Sequence, residues 1–274
     1  DVDWLDYVKK DAFITDNSFS MSGGGDRATY RFSLSYLDEG GTSIGTGMDR
    51  LSANLRIGYN FSDKLRIDTE YSYADTDKDA NFTTNTRAEA LRKMPNKSPY
   101  YIDDATGEMT DIYFLRQNAE DFQGAFSGKT DGGSFKNFHP IIMANESYRN
   151  TNTREQKMNF RLYYDLSPAL TYSAYVSMKY KTSNTKAFLP QAATDVTINN
   201  TFANLSADDN TNNLSLQTEN KLMFRKRWNE DMHSVVATGI WRTSQSTSSK
   251  YASMIYGAAS AGMSDPSAGG AVTS

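Results

Sequence analysis

A period of two in hydrophobicity constrains this chain more than any other feature. About eight runs alternate apolar and polar residues, and each is long enough to cross a bilayer as a leaning strand. They are Ala12 to Ser22, Arg27 to Leu37, Arg50 to Tyr59, Leu65 to Ala74, Arg154 to Tyr164, Leu170 to Lys181, Leu214 to Arg227 and Met232 to Ser244. In the cleanest, Ala28, Tyr30, Phe32, Leu34 and Tyr36 share one face, and Thr29, Arg31, Ser33 and Ser35 the other. The connections also alternate. Gly23 to Asp26, Asn60 to Lys64, Asp165 to Ala169 and Trp228 to Asp231 are short, Asp38 to Asp49 is intermediate, and Asp75 to Thr153 and Thr182 to Asn213 are long. Short turns on one side and long loops on the other are the wiring of an up-and-down antiparallel barrel in a membrane. A soluble β-sandwich is the alternative, but strands this long with loops extended on only one side are uncommon there.

Composition supports the membrane reading. The chain is 12% aromatic, with 17 Tyr and 14 Phe, yet only 38% hydrophobic. A barrel wall tolerates that balance because alternate residues face a polar lumen. No apolar run is long enough for a transmembrane helix. The absence of Cys removes disulfides, thiolate metal sites and Cys nucleophiles, and with only His139 and His233 a histidine-rich metal centre is not expected. No cofactor is expected. A net charge of −4 gives no basic footprint for nucleic acid. The chain begins at Asp1 without a leader and stops in a Gly/Ala/Ser-rich stretch, Gly257 to Ser274, so it reads as part of a longer protein.

The expected organisation is a short helical lead-in over 1–11, four strands over 12–74, an extracellular lobe over 75–153, four strands over 154–244 with a loop at 182–213, and a loop or tail over 245–274. In the lead-in, Trp4, Leu5 and Val8 fall at helical spacing behind Asp residues that suit a helix N-terminus. In the lobe, Thr86 to Met94 has helical composition and Pro95 ends it. A structureless loop of this size is improbable. Aromatics fall where a barrel carries its girdles: Tyr59, Phe61, Tyr164 and Trp228 beside short turns, and Tyr36, Tyr73, Tyr180 and Trp241 toward the long loops.

Tyr100, Tyr101, Tyr113, Phe114, Phe122, Phe126, Phe135, Phe138 and Tyr148 crowd the lobe. They read mainly as its small core or as a surface for a partner, and Tyr100, Tyr101, Tyr113 and Phe138 are the candidates for contact with substrate or partner. Asp68, Glu70 and Asp75 could pass for an acid/base pair, but their spacing on a strand sets them along a solvated lumen wall. Asp103, Asp104 and Glu108 lack EF-hand spacing and read as a solvated acidic loop. Gly23, Gly24 and Gly25 have no following helix or Lys-Ser/Thr pair, so they make a tight turn and not a phosphate cradle.

Several motifs together resemble the SusC/RagA family of TonB-dependent outer-membrane transporters. DVDWLDYVKKDAF stands where that family has a Thr-Asp-Trp box. SFSMSGGGDRATYRFSLSYLDEGG is similar to its first hairpin, with Ser35 where the family often has Gly. GTGMDRLSANLRIGYNFSDKLRID is similar to the next pair, with Gly45, Gly47, Arg50 and Asn54 leading to Asp63-Lys64-Leu65. ALRKMPNKSPYYIDDATGE is similar to a family loop segment. The likeness is strongest over the first third. It implies an all-β fold in which this chain supplies about eight strands of a barrel of about 22, as an open sheet with long extracellular loops. It implies a parent protein in the Gram-negative outer membrane, in contact with lipid, importing oligosaccharides or peptides. A SusD-like surface lipoprotein would cap it, and the TonB complex would act through an N-terminal region outside this chain. It implies no enzymatic activity. The alternatives are another outer-membrane barrel, a porin or adhesin, and the soluble glycan-binding sandwich.

Overall fold

The computed structural model describes residues 1–82, 86–114, 139–194, 203–228, 232–257 and 271–273. Phe122, Phe126, Phe135 and Phe138 lie outside them. The strands are β1 (Ile14–Gly24), β2 (Ala28–Gly40), β3 (Gly47–Ser62), β4 (Leu65–Asp79), β5 (Tyr100–Ile102), β6 (Met109–Tyr113), β7 (Tyr148–Ser167), β8 (Leu170–Leu189), β9 (Leu205–Trp228), β10 (His233–Tyr256) and β11 (Ala271–Thr273). The described residues also include two helices, α1 (Thr86–Arg92) and α2 (Pro140–Glu146), and a 3₁₀ turn at Gln191–Ala193.

One sheet takes β1-β2-β3-β4-β7-β8-β9-β10-β11 in that order, while β5 and β6 form a separate hairpin. Every pairing is antiparallel. This is the expected meander, and among the described residues no second large sheet packs against it, so the sandwich is excluded. One edge is β1. At the other side the three-residue β11 pairs with the top of β10 at Met254–Tyr256 and becomes the edge there.

Register joins the alternating faces into continuous surfaces. One row runs Met21, Phe32, Leu55, Tyr71, Met158, Met178, Leu216. The row displaced by one residue runs Ser22, Arg31, Arg56, Glu70, Asn159, Ser177, Gln217, Ser244. A slip of one residue anywhere would mix the two faces, which is why the pattern holds the register so firmly. Asp75 departs from its expected place. It pairs with Leu51 and Arg154, so it shares the apolar face with Tyr71 and Tyr73, not the polar face of Asp68 and Glu70.

The rows also reveal how far the strands lean. The row through the last β1–β2 pair, Gly24 and Thr29, passes Gly58, Asp68, Arg161, Tyr175 and Glu219 to Arg242. Arg242 is about nine residues above His233, where the β9–β10 turn begins, so the stagger is roughly 30 Å across six strand spacings, or about 29 Å. With the turn tips level, the strands lean by about 45°, the tilt of a closed barrel.

The strands are longer than the alternation indicates. β9 and β10 each have 24 residues, far beyond the roughly ten needed to span. Hence β8 continues to Leu189 and β9 starts at Leu205, where a loop was expected, and β10 runs on through the expected tail. The lead-in differs too. Residues 1–11 contain no named helix, only turns over 4–8 and a bridge from Lys9 to Ser43. The shape of this segment follows the burial of Trp4 and Val8 and its bonds to the β2–β3 connection, where Lys10 N–H donates to the Thr42 carbonyl and Ile44 N–H to the Val8 carbonyl.

Candidate functional site

Two regions carry the chemistry: the polar face of the sheet and a lobe over its loop end, here called the rim. On the polar face, Glu70 is the hub of a network. Its Oε1 accepts from Arg56 at 2.9 Å and from Asn54 at 3.4 Å, and its Oε2 accepts from Asn159 at 3.3 Å. Asn159 in turn accepts from the Tyr175 hydroxyl at 3.0 Å and the Ser177 hydroxyl at 2.8 Å. Arg66 meets Asp68 at 3.0 Å, Lys179 meets Glu155 at 2.9 Å and Arg242 meets Glu219 at 2.6 Å. The Arg161 guanidinium lies 5.1 Å from the Tyr175 ring centroid. These groups are solvated, and such pairs order side chains more than they stabilise the fold.

The apolar face carries far less of this: toward the rim Asp75 accepts from Arg154 and from the Tyr73 hydroxyl, each at 3.1 Å. Tyr30, Leu34, Leu55, Ile57, Phe160, Val176 and Met178 are all exposed. Tyr59 and Phe61 contact edge to face at 4.6 Å beside the β3–β4 turn, and Lys226 lies 5.4 Å from the Trp228 ring beside the β9–β10 turn.

The lobe is built differently. Trp4, Val8, Ala90, Ile141 and Ala144 form one buried cluster, and Ile142, Met143, Leu189, Ala193 and Leu205 a second. The N-terminus and α1 thus pack on one side of α2, and the tops of β8 and β9 on the other. The Trp4 indole N–H lies 3.2 Å from both the Met94 and Lys97 carbonyls, which accept it. Asn81 ties three segments by donating to the Ile44 and Ala144 carbonyls at 3.0 and 3.2 Å. At Gly45, with φ of +74°, a Cβ would stand 2.7 Å from the Ala144 oxygen, so only glycine fits.

His139 sits at the junction of the two clusters and caps α2. Its Nδ1 accepts from the Ile142 N–H at 3.4 Å, and its Nε2 lies 3.3 Å from the Pro99 carbonyl. The neutral tautomer with the proton on Nε2 satisfies both. The ring contacts Trp4 and Tyr113 edge to face, with centroids 5.6 and 5.4 Å away. Burial pushes its pKa down to about 4. The sequence carries a signal for this element: a Pro at the first helical position followed by the apolar run Ile141, Ile142, Met143.

Of the candidate aromatics, Tyr100 and Tyr113 stack at 5.2 Å across the β5–β6 hairpin and pack on the Trp4 cluster. Burial pushes the Tyr100 phenol up. Tyr101 points away from that core, 45% exposed, and meets Phe114 edge to face at 5.1 Å. The structure therefore brings together two of the candidates as packing residues and leaves Tyr101 on the surface.

The fold is a stretch of antiparallel wall from a β-barrel. It is similar to a chain in the structure of the RagAB peptide transporter, with a TM-score of 0.70 and 17% identity over 99% of this chain and 28% of that one. It is also similar to the RagAB peptide importer in its closed-closed and open-open states. The TM-score is 0.61 and the identity 16% in both, over 93% and 92% of this chain and 30% of each of those. This chain thus spans less than a third of the length of the solved chains it matches. No protein-family model matches it, and no curated protein matches it in sequence.

Proposed function

We propose that this chain is part of the wall of a SusC-like, TonB-dependent importer in the Gram-negative outer membrane, taking up peptides or oligosaccharides. The apolar belt, in register across the sheet and backed by an equally continuous polar face, carries the reading. In a membrane the belt meets lipid and the polar face lines the lumen. With a lean near 45° each residue climbs roughly 2.3 Å, so Tyr36, Tyr73, Tyr180 and Trp241 stand about 16–23 Å above their turns. That separation from Tyr59 and Phe61 suits an apolar band about 25 Å tall. The likeness to a solved peptide importer supports peptides first.

The lobe belongs on the extracellular side, where it helps seat a SusD-like lipoprotein. Tyr101 on the exposed side of its hairpin is the aromatic placed to touch cap or substrate, since aromatics are favoured at interfaces. Phe138 remains a candidate by sequence alone. The test is peptide uptake by cells carrying the full parent protein, with and without TonB, and with residues 80–147 replaced by a short linker. Uptake should need TonB, and the linker variant should insert yet lose cap binding or transport. Uptake and cap binding at wild-type levels in the linker variant would remove the lobe from the mechanism.

A further inference from the structure

We infer that the polar face of this wall selects substrates bearing carboxylates, acidic peptides before neutral ones. The inference rests on the importer reading and names the substrate class of the same lumen. It starts from a contrast of sign. The chain as a whole carries −4, but the spanning part of its polar face has the opposite balance. There the carboxylates of Asp68, Glu70, Glu155 and Glu219 are each already engaged by a cation, respectively Arg66, Arg56, Lys179 and Arg242. Asp16 and Asp165 on this face make no ion pair among the described residues, and what remains is still positive on balance. Arg31, Lys157, Lys181 and Lys221 make no ion pair among the described residues.

Their placement argues against a merely solvated surface. Arg31 stands directly opposite Arg56, and Lys157 directly opposite Lys179. Like charges facing each other across strands are destabilising. Each pair has only one acidic neighbour, Glu70 or Glu155, so one cation of each pair is left over. Lys181 pairs across the ladder with Glu155, whose carboxylate is held by Lys179. The surplus is also spread along the strand direction. Arg31 lies near the turns, Lys221 midway, and Lys157 and Lys181 toward the rim. A pocket at the low end, whose lining includes Ser22, Thr29, Tyr30, Arg31 and the Glu70-bound Arg56, places the Arg31 guanidinium beside the Ser22 and Thr29 hydroxyls, a donor set that suits a carboxylate. In a confined lumen such charges raise the local concentration of the opposite sign.

The experiment is competitive uptake by cells in which the full-length parent is the sole route. The probes are labelled peptides of equal length, neutral or with two Glu replacing two Gln. Uptake is normalised to inserted protein. The acidic-to-neutral ratio should exceed one, shrink as salt rises, and fall roughly three- to tenfold in Lys157→Gln/Lys181→Gln. The Lys157→Arg/Lys181→Arg variant should keep it. Uptake of both peptides at a ratio of one would overturn the inference and leave the importer standing, as would a ratio unchanged in the Gln variant. An equal loss of both peptides in the Gln variant would mean that these lysines seat another part of the transporter, which also overturns it. Failure to take up any peptide would overturn the importer reading for peptides along with it.

Discussion

The wall and the lobe solve opposite problems with the same chain. The wall holds most of the strand residues, yet its buried side chains are confined to the strand tops: Ala187, Phe188 and Leu189 on β8, Leu205 and Ser206 on β9, and Ile255 on β10. Among the described residues the other buried side chains belong to the lobe or its junctions, from Trp4 and Val8 through Ile141 and Met143 to Ala193. The lobe therefore carries a core of its own that excludes water, whereas the spanning wall depends on its ladder and on whatever solvates its apolar face. One region should be sensitive to packing, the other to the medium.

That separation can be broken most directly at Trp4. Trp4→Ala removes a buried indole and leaves the Met94 and Lys97 carbonyls without their donor. It should cost the lobe about 3–5 kcal/mol, read as faster proteolysis within 86–114, while the heat-modifiable mobility of the inserted barrel stays unchanged. Equal damage to both regions would show that they fold as one unit. The converse change is Leu55→Arg, in the middle of the apolar belt. It should destabilise the wall by about 2–4 kcal/mol in vesicles, whereas Ser33→Arg, on the polar face, should stay within about 0.5 kcal/mol. Denaturant titration of the inserted protein measures both.

Acid should sharpen the contrast. His139 has its pKa lowered from 6.5 to about 4, so the folded lobe favours the neutral ring. That contribution is present in full above about pH 6.5 and is lost as pH falls toward 4, because the unfolded lobe takes up the proton first. At about 1.36 kcal/mol per unit the full loss is about 3 kcal/mol. Trp4 fluorescence in a Trp228→Phe/Trp241→Phe background should report it, and His139→Asn, which keeps a capping acceptor, should remove the pH dependence. Within the lobe the smallest expected effect is at Gly45. Gly45→Ala strains the positive φ and crowds the Ala144 carbonyl, costing about 1–2 kcal/mol, again visible in lobe proteolysis alone.

The sequence is most informative where one face differs from the other. Strand order, the short turns and the two faces of β2, β3, β7 and β8 all follow from alternation. The strand tops were hidden because both their faces are polar: Asn150, Thr151, Asn152 and Thr153, or Asp208 through Asn213, show no period at all. Their pairing is fixed by the ladder, which continues upward from the belt. The lobe was legible only in part. Its α1 followed from composition, but α2 lay beyond a long stretch without a pattern, and the lead-in resembled a helix because Trp4 and Val8 are spaced to face one core, as they do in a turn. The aromatic candidates show the limit most clearly, since Tyr100 and Tyr101 are neighbours in sequence and face opposite surroundings.

The lean of the strands has a consequence for anything passing along the polar face. Because a hydrogen-bonded row is not level, moving sideways from Thr29 to Arg242 also means climbing roughly 20 Å. Side chains that are next neighbours in the ladder therefore trace a spiral, like the grooves of a rifled bore. A flexible chain that followed one such row down, from Arg242 toward Thr29, would have to turn about the barrel axis as it descended. Stiff or branched substrates would then be slowed by the twist itself, whatever their charge.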